Sequence, residues 1–283
     1  MKKKEKIVLI GANGLIGRAF IEKYKNKYKI IRCLRRHHTL SFLKKHKPDI
    51  IFNSSGEPYN EKKMFYTNLL LVNEILKYCI ENNCYLIHLG SSGEYGRHNY
   101  PTSENTFLKP TTKYEATKAA ASMLVTGYAK AYKLKAILVR PYCVFGYYSK
   151  QNLLIPMIIN AIRFNKEMNI YKGVHDFIYV KDFIRGISIL IGKKKKWLNG
   201  EIINLGSGKQ LTNVTVLQKV RKIFGNKGKF KIINKKYRSY DSDTWICNTR
   251  YSKSRYGFKT NYNFESALKD MFKYYKKKKF LTS

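Results

Sequence analysis

Residues 6–20 read KIVLIGANGLIGRAF. An apolar run breaks into three glycines spaced three apart, Gly11, Gly14 and Gly17, and then resumes at helical spacing. A buried strand, a tight turn and a helix N-terminus account for all three. Gly11 permits the turn, Gly14 lets the backbone approach a phosphate, and Gly17 lets the helix pack on a sheet, with the first-turn amides facing the anion. Asn13, Leu15 and Ile16 lie within the same turn and helix start.

Apolar runs alternate with helical stretches along the first half of the chain. KIVLIGA, YKIIRCL, PDIIFNSS, CYLIHLGSS and KAILVRPY read as short buried strands, with helices predicted between them, notably over Met64 to Asn82 and Thr112 to Tyr132. This alternation predicts an α/β fold, a Rossmann-type doubly wound parallel sheet with its glycine turn at the carboxyl end of the first strand. Beyond residue 150 the rhythm loosens. QNLLIPMIINAIRF and Thr215 to Phe224 read as helices, HDFIYV and EIINLGSG as strands, and Phe264 to Tyr275 as a terminal helix before a frayed lysine tail. The expected division is a dinucleotide-binding core over residues 1–150 and a smaller, mostly substrate-binding C-terminal lobe over 151–283, with strands near 177–180 and 202–205 returning to the core sheet.

Composition narrows the class. The 283 residues suffice for a large core, and 44% are apolar. No apolar stretch has membrane-spanning length, and glycine interrupts the start before a signal-type segment is complete, so a cytoplasmic protein without a span is expected. Five cysteines are scattered with no zinc-type spacing, which predicts free thiols and no metal site. The formal charge of +38 comes mostly from lysines spread over every segment, which reads as a solvated surface. Lys193 to Lys196 and Lys276 to Lys279 lack the interleaved aromatics of a nucleic-acid site, so no specific nucleic-acid partner is expected. A substrate carrying a diphosphate would still be attracted.

The second strand ends in CLRRHH, with Arg35 eighteen residues after Gly17, where an acid that holds the adenosine ribose is expected in an NAD enzyme. No Asp or Glu occurs between Glu22 and Asp49. Arg35 and Arg36 suit a 2′-phosphate, which favours NADP, as NADPH, over NAD. Further on, LGSSGEYG precedes YEATK. Tyr114 and Lys118, four apart, share a helix face, so the ammonium is expected to lower the phenol pKa while the phenol exchanges a proton with a carbonyl or alcohol. A strand-end serine supplies a further hydrogen bond to that oxygen.

The chain resembles an extended short-chain dehydrogenase/reductase of the NAD-dependent epimerase/dehydratase family, which acts on nucleotide sugars. GANGLIG in the GxxGxxG form, PDIIFNSSG, Asn68 opening NLLLVNEIL, SSGEYG, YEATKAA, RPYCVFG, LIPMII, HDFIYVKDF and INLGSG follow in family order. The resemblance implies Ser91 as catalytic serine, with Ser92 as the fallback, Tyr114 as acid/base and Lys118 as its partner. It places Ser54 and Ser55 beside the cofactor and makes Asn68 a structural, water-holding residue of the cofactor site. It also implies a homodimer formed through the helices of Asn68 and Tyr114.

Departures from the family pattern shape the expected reaction. Dehydratases follow their catalytic Thr with Asp and Glu, where Ser92 and Gly93 stand here, and Glu94 is a single carboxylate displaced by one position. That argues against dehydration. The cysteine of the epimerase-reductases of fucose synthesis is also missing at Gly93. Cys143 replaces a substrate-side asparagine, either as a reactive thiol or as a small buried residue. His175 replaces an arginine that holds a diphosphate, so either Lys172 substitutes or the grip is weaker. Ser92, Gly93, Glu94, Cys143 and His175 are the expected substrate-side residues, while Asp176 and Asp182 are expected to brace a loop and a helix. The resulting expectation is NADPH-dependent reduction of the 4-keto group of an NDP-deoxysugar for surface polysaccharide, in the manner of CDP-abequose and CDP-paratose synthases. The alternatives are an NDP-hexose 4-epimerase with tightly bound NAD, and a catalytically silent nucleotide sensor.

Overall fold

The computed structural model describes residues 4–34, 38–237 and 242–278. Arg35, Arg36 and His37 therefore lie outside the described residues. Strands β1 (Lys6–Ile10), β2 (Lys29–Cys33), β3 (Ile50–Asn53), β4 (Tyr85–Leu89), β5 (Ala136–Pro141) and β9 (Glu201–Leu205) form a parallel sheet in the order β2-β1-β3-β4-β5-β9. β1 and β3 in the middle of the sheet are apolar on both faces because both faces are covered. Ile7 and Leu9 point into one core with Phe20 of α1 (Leu15–Tyr24) and Phe183 of α7 (Val180–Gly192). Val8 and Ile10 point into the other, with Leu43 of α2 (Thr39–His46), Ile75 of α4 (Leu71–Asn82) and Val125 of α5 (Lys113–Ala131).

Chain order reverses between β1 and β3. The turns that follow these two strands border one crevice at the carboxyl edge, the place where doubly wound sheets take their ligands. Gly11 sits there at φ +80°, and a Cβ on it would lie 2.7 Å from the Ser54 carbonyl carbon. The Ser54 amide and hydroxyl both donate to the Ile10 carbonyl, at 2.9 and 2.8 Å.

A second, three-stranded sheet holds β6 (Cys143–Phe145), β8 (Val174–Tyr179) and β10 (Gln210–Thr212), in the order β10-β8-β6. The expected strand near 177 thus forms but does not join the parallel sheet, whereas the strand near 202 does. The place beside β5 is taken by β9, whose Leu205 carbonyl accepts from the Tyr142 amide at 3.0 Å. β8 pairs instead with β6, the continuation of the chain just past β5. A third pairing joins β7 (Glu167–Lys172) to β11 (Lys229–Lys236), flanked by α6 (Leu154–Arg163) and α8 (Asn213–Phe224). The terminal helix α10 runs over Phe264–Lys277.

The predicted helix over 64–82 begins earlier. α3 (Glu61–Phe65), a π turn (Tyr66–Leu70) and α4 continue as one helix, since Phe65, Tyr66, Leu70 and Leu71 all hold right-handed helical angles. The wide turn carries Asn68, and such bulges occur often at functional sites. Among the described residues no helix is long and apolar enough to cross a membrane.

A Cβ at Gly17 would stand 2.5 Å from the Gly11 carbonyl oxygen and 2.7 Å from the Ala12 Cα, both backbone, whereas one at Gly14 meets nothing nearer than 3.4 Å. Gly17→Ala is therefore expected to lower stability by about 1–3 kcal/mol, as overpacking does. Gly14→Ala should stay within about 1 kcal/mol of the parent. Urea unfolding midpoints compare the two, and equal midpoints would contradict this packing.

Candidate active site

The short turn beyond β4 packs against α5. Thr112 opens α5 as an N-cap whose side chain accepts from the Glu115 amide at 3.2 Å, while Glu115 returns a carboxylate to the Thr112 amide at 3.0 Å. This capping box fixes where the helix starts, and so where Tyr114 and Lys118 point. Lys118 is 2% exposed and donates its ammonium to the Leu89 carbonyl at the end of β4. Two residues further along the chain, Ser91 caps the short turn Ser92–Tyr95 with its hydroxyl, which accepts from the Gly93 amide at 3.1 Å. The same Ser91 side chain lies beside the Tyr114 phenol and acts to lower its pKa. The structure thus brings Ser91, Tyr114 and Lys118 together.

Their proton affinities differ from the sequence expectation. Burial raises the Tyr114 phenol to about 12, with the Glu94 carboxylate adding to the rise and the Ser91 hydrogen bond opposing it. Burial lowers the Lys118 ammonium to about 8, opposed by Glu94. Desolvation of the phenol therefore outweighs any lowering by the ammonium, which is itself destabilised by burial.

Around this trio, Asn68 is 1% exposed and spends its side-chain amide on the protein. Its oxygen accepts from the Glu57 amide at 2.9 Å, and its nitrogen donates to the Glu57 carbonyl and to Thr117 Oγ1, both at 3.1 Å. It braces the loop after β3 against α5. Ser55 donates its hydroxyl to Asn53 Oδ1 at 2.6 Å, and Asn53 in turn meets His88 Nδ1 at 3.1 Å. His88 lies beside Lys118, which, after burial, pushes its pKa down, and its Nε2 is buried without a partner.

Glu94 does not face a substrate. It is 0% exposed and both its oxygens are taken, by the Ser91 amide at 2.6 Å and by Ser122 and Arg140 at 2.7 and 2.8 Å. Ser92 is buried and accepts from the Trp245 indole at 3.3 Å, and a Cβ on Gly93 would stand 3.1 Å from Glu115 Cγ. Cys143 is half-buried, and burial, reinforced by Asp176, raises its thiol to about 12. His175 packs against Phe177 with ring centroids 5.6 Å apart, while Lys172 is exposed and paired to Asp243 at 3.3 Å. Asp176 accepts from the Ser207, Gly208 and Cys247 amides, and Asp182 from those of Asn261 and Tyr262, so both act as braces.

The glycine turn suits the diphosphate of a dinucleotide. α1 has no side chain capping its N-terminus, and the glycine turn leaves its first amides open to an anion. Asn13 accepts from Arg32 of β2 at 2.9 Å, which puts a guanidinium beside that turn. Sequence reading passed over Arg32, Asn53, His88, Ser122, Arg140 and Trp245. Only Ser122 carries a local signal, one helical turn beyond Lys118.

The sequence model of the NAD dependent epimerase/dehydratase family matches residues 7–206. The chain belongs to this family. An uncharacterized UDP-glucose epimerase of Bacillus subtilis is 25% identical over 182 residues, 63% of this chain and 57% of that protein. A dTDP-D-glucose 4,6-dehydratase of Dictyostelium discoideum is 30% identical over 125 residues, 43% of this chain and 28% of its own length. The matched part thus spans between about a quarter and a little over half of these relatives. Among solved structures, dTDP-glucose 4,6-dehydratase of Bacillus anthracis in complex with NAD superposes with a TM-score of 0.86 at 21% identity, covering 98% of each chain. The UDP-glucose 4-epimerase of Thermotoga maritima with UDP-glucose superposes at 0.85 and 19% identity, covering 96% of this chain and 99% of that one. These establish the Rossmann-type fold.

Because the Cys143 thiol is held protonated, this position is expected to resist alkylation near neutral pH on the timescale of a free thiol. Peptide mass spectrometry after iodoacetamide treatment checks this. Rapid modification at Cys143 would restore the reactive-thiol alternative.

Proposed function

We propose that this family member is an NADPH-dependent reductase of the 4-keto group of an NDP-deoxysugar. The observation that carries the reading is the Tyr114 phenol beside Ser91, on the helix whose buried Lys118 ammonium meets the carbonyl at the end of β4. A bound nicotinamide dinucleotide supplies two-electron reduction. The chain supplies everything else. The α1 amides with Gly11, Asn13, Gly14, Leu15, Ile16 and Gly17 hold the diphosphate, and Ser54 and Ser55 line the opposite wall. A phenol with a pKa near 12 is fully protonated at neutral pH, so Tyr114 is ready to give a proton to a carbonyl oxygen as it gains negative charge. Ser91 holds that oxygen. Lys118 keeps a positive charge beneath the site and would be the group to meet the cofactor ribose.

NADP is favoured over NAD by the lack of any acid between Glu22 and Asp49, by Arg35 and Arg36, and by Arg32 beside the glycine turn. Dehydration is disfavoured because Ser92 and Gly93 carry no acid or base and Glu94 is locked away from the cleft. Trp245 closes over Ser92 and walls the place where a sugar would lie. The resemblance of the whole fold to NAD-bound dehydratases and to UDP-glucose 4-epimerases supports the second reading, an NDP-hexose 4-epimerase that retains NAD. Phe65, Tyr66 and Leu70, with Met123 of α5, are exposed apolar side chains on helices that pack together, which supports a homodimer through this face.

Incubation with NADPH and a panel of 4-keto nucleotide sugars is expected to give loss of nicotinamide absorbance with at least one. Tyr114→Phe should cut that rate by about 10²–10⁴-fold while cofactor binding persists. The rate should also fall as pH rises through about 8, where Lys118 loses its proton. Tightly bound NAD with interconversion of two sugars and no cofactor consumption would replace the reductase by the epimerase, and ligand binding with no turnover at all would leave a sensor. Sedimentation should give a dimer, and Met123→Glu a monomer; a monomeric parent protein removes the homodimer.

A further inference from the structure

Glu94 and Arg140 form a fully enclosed ion pair at 2.8 Å, with side chains 0% and 3% exposed. A pair this deep gains little stability, because desolvation offsets the attraction. Its geometry indicates another use. One Glu94 oxygen accepts from the Ser91 amide at 2.6 Å, and the other from the Ser122 hydroxyl at 2.7 Å and from Arg140 Nε. The carboxylate therefore joins three elements: the turn that carries Ser91, the helix that carries Tyr114 and Lys118, and strand β5. Gly90 makes room for it, since a Cβ there would stand 2.5 Å from Glu94 Oε1. On its far side Arg140 Nη1 donates to the Tyr95 hydroxyl at 2.9 Å, and Tyr95 donates to Asn204 Oδ1 of β9 at 2.8 Å, so the anchor extends to the next strand of the sheet.

We propose that the Glu94–Arg140 pair is the positioning element of the active site, fixing the Ser91 turn against α5 so that the Ser91 and Tyr114 hydroxyls meet, and holding a negative charge behind them. The proposal deepens the reductase reading and rests on its assignment of Ser91 and Tyr114. The charge acts on both partners in α5. It favours the protonated forms of Tyr114 and of Lys118, the states the reduction uses. The other groups facing these two are Tyr59 and Glu115 around the phenol and His88 of β4 beside the ammonium. Tyr95 and Arg140 face Glu94 itself. With the carboxylate neutralised, Arg140 alone adds positive charge, and both groups titrate at lower pH.

Glu94→Gln keeps the size and removes the charge. A sub-ångström shift between Ser91 and Tyr114 is expected to lower kcat by ~100-fold. The KM for the sugar and the dinucleotide Kd should stay unchanged, and the alkaline limb of the rate profile should move to lower pH. If that variant does not fold, Ser122→Ala removes only the anchor on α5 and should show the same directions with a smaller loss of kcat. Hydrogen exchange supplies a readout independent of turnover: in Glu94→Ala or Ser122→Ala the peptide containing Ser91 should exchange faster while peptides of the glycine turn do not change. A folded Glu94→Gln with parental kcat would overturn the proposal. So would a loss shared equally by kcat and dinucleotide affinity with the pH limb unmoved, or unaltered exchange at Ser91. Tyr114→Phe run in parallel keeps the two readings apart: turnover undiminished in that variant sinks the chemical assignment, and the exchange measurement still decides the positioning role.

Discussion

A lysine ammonium pressed onto a strand-end carbonyl sets the geometry of this molecule. For Lys118 to reach the Leu89 carbonyl, α5 must lie close along the end of β4. That single contact decides which helix face looks into the crevice and brings Tyr114 within reach of Ser91. The cost of burying a positive charge is offset by the carbonyl and by the negative charge of Glu94 nearby. Movement of α5 away from β4 would strand the ammonium and part the two hydroxyls together.

Burial also sets the resting protonation states of the site. A phenol raised toward 12 is a proton reservoir at neutral pH, and a lysine lowered toward 8 is a cation near its limit. Both states suit a site that gives a proton to an oxygen gaining charge. The crevice lies where chain order reverses in the sheet, between the turns after β1 and β3, and strand order alone selects that place. Trp245 reaches the same turn through Ser92.

Much of this was legible from local pattern. KIVLIGA and PDIIFNSS read as strands because a sheet covered on both faces needs apolar residues at successive positions. Gly11 and Gly17 stood out because backbone approaches within van der Waals contact there. YEATK placed Tyr114 and Lys118 on one helix face, since four residues make about one turn. What escaped was set by partners distant in sequence. HDFIYV has the composition of any buried strand, and nothing local says that β9 takes the place beside β5. Glu94 read as a substrate-side acid because Arg140, 46 residues away, was not seen to claim it. The Tyr114 shift ran opposite to expectation because pairwise spacing carries no information on desolvation.

A crystal structure of the protein with NADPH and a non-reacting nucleotide sugar tests the central claim most directly. The expected result is the diphosphate on the α1 amides, with the nicotinamide ring and the sugar C4 oxygen on the side of the cleft that holds the Ser91 and Tyr114 hydroxyls. Two cavities of about 570 Å³ lie elsewhere, one bordered by Glu104 and Tyr251 and the other by Phe177 and Phe264. A dinucleotide or sugar seated in either of them, with Tyr114 touching neither ligand, would contradict the account.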